Sequence, residues 1–337
     1  MFVWLVIAGA AVTSLVLTGV MRTYALNAEM LDRPNERSSH IVPTPRGGGV
    51  AIVVAITAAW VAVYVTAGFT IGPLPTLTLT ALLVAAVGFV DDHRDVPAQW
   101  RLLIHLAAAG GLVLASGGLA PIATPFGTVE SAWLGTIFAV LYVAWILNLY
   151  NFMDGIDGIA GVEAATVAAG AALLLMLDGQ PGLAVVVAAI GAAAVGFLVW
   201  NWAPAKIFMG DVGSSFLGFV LGGLAIVSHN IGSLDIYAWS ILLGVFVVDA
   251  TIALVRRLAR GERVYQAHRS HAYQHAAIRH GSHAIVSAAV GVLNIAWLLP
   301  LAALVGTGRI DGTLGLAVAY TPLIWLALRY RSGVDAR

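Results

Sequence analysis

The chain is expected to fold as an all-α, polytopic membrane bundle of about eleven crossing helices, one membrane-embedded domain over residues 1–337. Three observations lead there. Of its residues 60% are hydrophobic and 10% charged, with mean hydropathy +0.91, whereas a water-soluble domain is about a quarter charged. Apolar runs near the roughly 20 residues that a crossing helix needs recur over 3–20, 48–67, 71–90, 102–118, 132–150, 159–177, 182–200, 214–228, 237–255, 284–305 and 312–328. Finally, the cations are sorted to alternate linkers.

The first run has no cation ahead of it, and Arg22 follows it; this fits a retained span with its N-terminus outside rather than a cleaved signal. The linkers after odd-numbered spans, and the C-terminus, then face the cytoplasm. Of 17 Lys and Arg residues, 16 lie in or beside those linkers or in the tail, and only Arg309 falls outside, the asymmetry that sets orientation. Ten tryptophans suit two membrane–water boundaries. The external linkers, such as the one at Asp178, are short, and no internal repeat of the transporter kind is visible. With no cysteine, disulfides, thiolate–zinc sites and thiol nucleophiles are excluded. A net charge of zero gives no reason to expect nucleic acid.

The chemistry-bearing residues gather in cytoplasmic loops 22–47, 91–101, 151–158, 201–213 and 256–283. Asp91, Asp92 and Asp95 abut an apolar span; adjacent carboxylates suit a cation or a proton, or complement the start of the next helix. In Asn148-Leu-Tyr-Asn-Phe-Met-Asp-Gly-Ile-Asp-Gly, oxygens recur every third residue at Asn148, Asn151, Asp154 and Asp157, near one face if the helix continues. Lys206 and Asp211 precede another span; Asp211 either caps that helix or, with Asn151, forms the sparse oxygen set that Mg²⁺ accepts. The loop 256–283 holds six arginines and five histidines around His268-Arg269-Ser270-His271. Guanidinium forks suit phosphate, while positive-inside sorting alone accounts for Arg256 and Arg257. Gly47, Gly48 and Gly49 open a span, either as anion-binding amides or for close helix packing. Asp249 lies inside the ninth span, a functional acid or a partner of nearby arginines. From residues alone, this is one cytoplasmic-side polar site suited to Mg²⁺ and phosphorylated ligands.

The ordered set Val-Gly-Phe-Val-Asp-Asp, Asn-Leu-Tyr-Asn-Phe-Met-Asp-Gly-Ile-Asp-Gly, Pro-Ala-Lys-Ile-Phe-Met-Gly-Asp-Val-Gly-Ser and a late histidine loop resembles the polyprenyl-phosphate N-acetylhexosamine-1-phosphate transferases over residues 32 to about 275. The resemblance implies an Mg²⁺-dependent phosphotransferase (Mn²⁺ as the alternative ion) of the bacterial inner membrane. It would move a sugar-1-phosphate from a UDP-N-acetylhexosamine to undecaprenyl phosphate, releasing UMP, among membrane lipids; a homodimer is among the assemblies it allows. It implies Asn151 and Asp211 on the metal, Asp157 on uracil, and Asp91 and Asp92 beside the attacking lipid phosphate. Asp154, Lys206, His268, Arg269 and His271 would hold the donor. Arg101, where some relatives carry lysine, and Arg46 are left for the lipid phosphate. His-Arg-Ser-His-Ala-Tyr-Gln-His departs from the triple-histidine form of the muramoyl-pentapeptide enzymes, and with Gly-Glu-Arg-Val-Tyr-Gln-Ala ahead of it the loop resembles that of O-antigen-initiating members. The reading from another class is a transporter of a phosphorylated or lipid-linked substrate.

Overall fold

The computed structural model describes residues 2–34, 42–67, 72–262 and 269–334. His268, Arg37 and His40 lie outside the described residues. The chain runs α1 (Phe2–Asn27), β1 (Leu31–Asp32), β2 (Thr44–Pro45), α2 (Gly49–Ala67), α3 (Leu74–His93), α4 (Ala98–Ala115), β3 (Ile122–Thr124), β4 (Gly127–Val129), α5 (Ala132–Met153), α6 (Ile159–Leu177) and α7 (Pro181–Asn201). It continues through α8 (Asp211–Asn230), α9 (Ile236–Leu242), α10 (Gly244–Ala259), α11 (Ala272–His280), α12 (His283–Leu293), a π-helical turn Asn294–Leu298, α13 (Leu299–Gly306) and α14 (Gly312–Arg329). The strands form two small antiparallel hairpins, β1–β2 and β3–β4.

Among the described residues ten helices are long and apolar enough to cross a membrane, or eleven with α9 and α10 counted as one span. The expected all-α bundle is therefore observed. The ninth run differs from the expectation: it is two helices bent by 81° around Leu243. Hydropathy sums composition along the chain and does not register a break in the backbone ladder. The long motif between α5 and α6 differs too. The helix stops at Met153, so Asn148 and Asn151 sit on α5 while Asp154 and Asp157 lie in the connection.

The centre of the bundle is α8, buried along almost its whole length and flanked by α2, α3 and α5. After Asp211 it carries no Asp, Glu, Lys or Arg, and glycines let its neighbours close in, as small residues do between membrane helices. At the start of α2, a Cβ on Gly49 would meet the Gly213 backbone at 2.4 Å. The Gly48 and Gly49 amides donate to the carbonyls of Phe208 and Met209 at 2.9 and 2.8 Å. The glycine run therefore serves helix packing, and these two amides are already spent within the protein.

Candidate active site

Asp91 and Asp92, adjacent in sequence, end α3 with different tasks. Asp92 is 4% exposed. Its carboxylate accepts the backbone N–H of Asp211 (Oδ1, 3.0 Å) and of Val212 (Oδ2, 3.2 Å), so it caps α8 from 119 residues away. The start of α8 is thus capped by Asp92, and the Asp211 side chain pairs with Arg101 instead. The residue between, Gly210, holds φ +77°, ψ 171°, backbone that only glycine adopts readily. A Cβ there would lie 2.5 Å from Asp92 Oδ2.

Asp91 turns the other way. Its Oδ1 accepts the Val96 N–H at 2.8 Å, and its Oδ2 pairs with Arg101 Nη1. The same Nη1 reaches Asp211 Oδ2 at 2.8 Å, so two carboxylates from α3 and α8 converge on one cationic group. Arg46 donates to the Asp92 backbone carbonyl at the end of α3, where a helix C-terminus favours a cation. Asn151 donates to Ser215 Oγ on α8 at 3.2 Å. Asp154 follows at the end of α5; burial, then the charges of Asp92 and Asp157, push its carboxyl up to about 7.

The donor-side candidates form a second group. Asp157 Oδ2 accepts the Ala205 N–H at 3.1 Å and lies 3.4 Å from His283 Nδ1. Lys206, the next residue, holds Nζ 5.5 Å from the Trp200 ring centroid. Asn201 joins the two loops, accepting from the Gly158 N–H (3.0 Å) and donating to the Ile207 carbonyl (2.9 Å). The late loop docks through α11: Tyr273 Oη donates to the Phe152 carbonyl at 3.2 Å, beside Asn151. Arg269 is half-buried. His271 is 2% exposed, turned into the protein 3.7 Å from Asp249 Oδ1. Asp249 accepts the N–H of Ala272 and Tyr273 (2.9 and 3.1 Å) and the Ser332 hydroxyl. Its partners are thus the start of α11 and the tail, not the arginines at the end of α10. Ser215, Asn201 and His283 are the residues that sequence reading passed over. Each is an ordinary polar residue at the edge of an apolar run, and only a partner far along the chain gives it meaning.

An amphipathic cavity of about 520 Å³ opens beside this cluster, between α4, α5 and α10. Arg101, Asn148 and Asn151 line its polar part, and Leu102, Leu106, Leu141 and Leu254 are among its apolar walls. For a divalent ion the expected donors are oxygens of Asp211, which already holds the cationic Arg101, and of Asn151, joined to α8 through Ser215. Among the described residues no group of three His, Asp or Glu side chains could hold a metal alone. That suits hard Mg²⁺, which takes one or two carboxylates and completes its shell with phosphate and water.

The cavity thus joins an apolar passage between α4, α5 and α10 to a cluster of two carboxylates and an arginine. Residues 74–229, from α3 to the end of α8, match the family described as glycosyl transferase family 4. The chain is 29% identical over 265 residues to a Bacillus subtilis protein named as an undecaprenyl-phosphate N-acetylglucosaminyl 1-phosphate transferase, covering 77% of this chain and 73% of that one. It is 28% identical over 282 residues to the decaprenyl-phosphate N-acetylglucosaminephosphotransferase of Mycolicibacterium smegmatis (75% and 70% covered). It is also 34% identical over 242 residues to the phospho-N-acetylmuramoyl-pentapeptide-transferase of Shouchella clausii (66% and 72%). The chain belongs to glycosyl transferase family 4, within the polyprenyl-phosphate N-acetylhexosamine-1-phosphate transferase superfamily.

Proposed function

We propose that this enzyme transfers an N-acetylhexosamine-1-phosphate from a UDP-sugar to a polyprenyl phosphate, giving a polyprenyl-diphospho-sugar and UMP, with Mg²⁺ required and the site on the cytoplasmic side. The observation that carries this is the convergence of Asp91, Asp211, Arg101 and Asn151 at the mouth of the amphipathic cavity. Leucines and Trp145 along the cavity would take the isoprenoid chain, with Arg101 at its polar end to meet the lipid phosphate.

Both reactants are anions, and a phosphate monoester is mostly doubly ionised at pH 7. The lipid phosphate therefore needs charge neutralisation more than a strong base, as in phosphoryl transfer generally. An oxygen of that phosphate attacks the donor's sugar-bound phosphorus in line; the new P–O bond forms as the bond to UMP breaks. Asp91, with Oδ2 turned to Arg101, orients the acceptor; Asp92, whose two oxygens hold the start of α8, positions Asp211. Asp211 and Asn151 would hold Mg²⁺, which supplies neutralising charge at the donor diphosphate. Asp157 and Lys206, joined through Ala205, serve the nucleotide end, with Arg269 and His268 completing the donor's phosphate contacts.

The relatives named above are named for N-acetylglucosamine or muramoyl-pentapeptide; the further assignment to O-antigen initiation rests on the 261–275 sequence alone. Release of UMP from a panel of UDP-N-acetylhexosamines, dependent on both polyprenyl phosphate and Mg²⁺, tests the reaction and selects the sugar. Turnover without the lipid acceptor, or none with any UDP-sugar, overturns the proposal. A sugar-phosphate adduct trapped on Asp91 would replace direct attack by a covalent intermediate.

A further inference from the structure

Away from the site, Glu163 of α6 is 0% exposed in the apolar interior. Its contact is Asn294, also buried, the first residue of the π-helical turn. Such turns insert an extra residue that re-aims a side chain, often at functional positions. Asn294 Nδ2 gives one hydrogen to Glu163 Oε2 (2.7 Å) and one to Thr166 Oγ1 (2.8 Å). Thr166 spends its own hydrogen on the Val162 carbonyl at 2.8 Å. Every donor in the contact is then used, yet two buried oxygens, Glu163 Oε1 and Asn294 Oδ1, have no partner. An ionised carboxylate here would hold one neutral donor on one oxygen, and among the described residues no Lys or Arg pairs with it. A buried charge so poorly compensated is not sustained in a membrane interior. One hydrogen on the carboxyl satisfies both orphan oxygens, and exchanging the amide's O and N still requires that hydrogen.

We infer that Glu163 and Asn294 form a neutral acid–amide pair, Glu163 Oε1–H donating to Asn294 Oδ1, and that this pair is a positioning device that sets α12, with His283 and Ser287, against Asp157. Two further contacts run along the same helices. Ser287 Oγ donates to the Asp157 carbonyl at 2.8 Å. At Gly291, a Cβ would come within 3.1 Å of Val162 Cγ1. A shift of Asn294 is therefore carried down one short helix to His283, 3.4 Å from Asp157 Oδ2.

Infrared spectroscopy of the full-length protein tests the pair directly. The difference spectrum of wild type minus Glu163→Gln is expected to show the carbonyl stretch of one protonated carboxyl, shifted in D₂O. A wild-type-minus-E163Q difference spectrum without that band overturns the inference, whatever other carboxyls contribute to both proteins. The kinetic arm rests on the proposed function. Gln supplies both hydrogen bonds, so E163Q should keep the KM for the UDP-sugar within about twofold, while Glu163→Ala raises it roughly fivefold or more with kcat changed less. An E163Q enzyme that behaves like E163A refutes the positioning role. Should wild type turn over no UDP-sugar, the functional reading falls, while the infrared band and the thermal midpoint (held in E163Q, lowered in E163A) still decide the pair.

Discussion

Replacing Asp92 by Asn tests whether this residue acts by holding α8 or by handling a proton. Its two oxygens accept the amides of Asp211 and Val212 at 3.0 and 3.2 Å. An asparagine keeps one acceptor and turns an NH₂ toward the other N–H, so one charge-assisted bond is lost and two donors face each other. Hydrogen bonds to charged groups contribute about 1.5–3 kcal/mol and a helix cap about 1 kcal/mol, which makes the expected loss about 2–4 kcal/mol. At about 2–4 °C per kcal/mol for a larger domain, the thermal midpoint should fall by roughly 4–16 °C. Because the Asp211 amide belongs to this cap, loosening the cap should let the Asp211 carboxylate drift from Asp91 and Arg101 as well. UMP release titrated with Mg²⁺, beside thermal unfolding in the same detergent, reads both effects. Expected is a lower midpoint together with a higher half-activating Mg²⁺ concentration. Loss of turnover at an unchanged midpoint and Mg²⁺ dependence would refute this reasoning and make Asp92 the proton acceptor.

Gly210→Ala should reproduce the Asp92→Asn phenotype, since its Cβ would lie 2.5 Å from Asp92 Oδ2; wild-type unfolding and Mg²⁺ response would contradict the cap. Asp211→Asn should abolish nearly all activity, with excess Mg²⁺ restoring only part, and unimpaired turnover would remove it from the metal site. Leu106→Trp fills the amphipathic cavity and should raise KM for polyprenyl phosphate while leaving KM for the UDP-sugar near wild type. For Asp154, with a folded pKa of about 7 against the usual 3.8, the folded protein keeps a proton that the unfolded chain gives up between those values. Its contribution therefore lowers stability as pH rises from about 4 to 7. The midpoint of the metal-free protein should fall over that range in wild type and less in Asp154→Asn; parallel curves would show that Asp154 does not titrate there.

The bundle was legible because bilayer thickness imposes a length and composition on every span, and those properties are written locally. The expected runs 132–150 and 159–177 match α5 and α6 closely. The groups Asp91-Asp92, Asn151 and Asp211 were visible as polar residues at the ends of apolar runs. Their division of labour was not. Asp91 and Asp92 are identical in type and adjacent, yet one caps α8 and the other faces Arg101. Asp249 was visible as an acid within a span, but not its partners Ala272, Tyr273 and Ser332.

Sequence alone therefore determined an all-α bundle with ten or eleven helices long and apolar enough to span and marked the polar residues at their ends, since both follow from hydropathy and charge within a short window. Tertiary structure decided which carboxylate is spent on a helix start, where the ninth span breaks, and that Glu163 meets Asn294 across 131 residues. Hydrogen bonds are satisfied in space, and a buried donor takes whatever acceptor the packing brings to it, however distant along the chain.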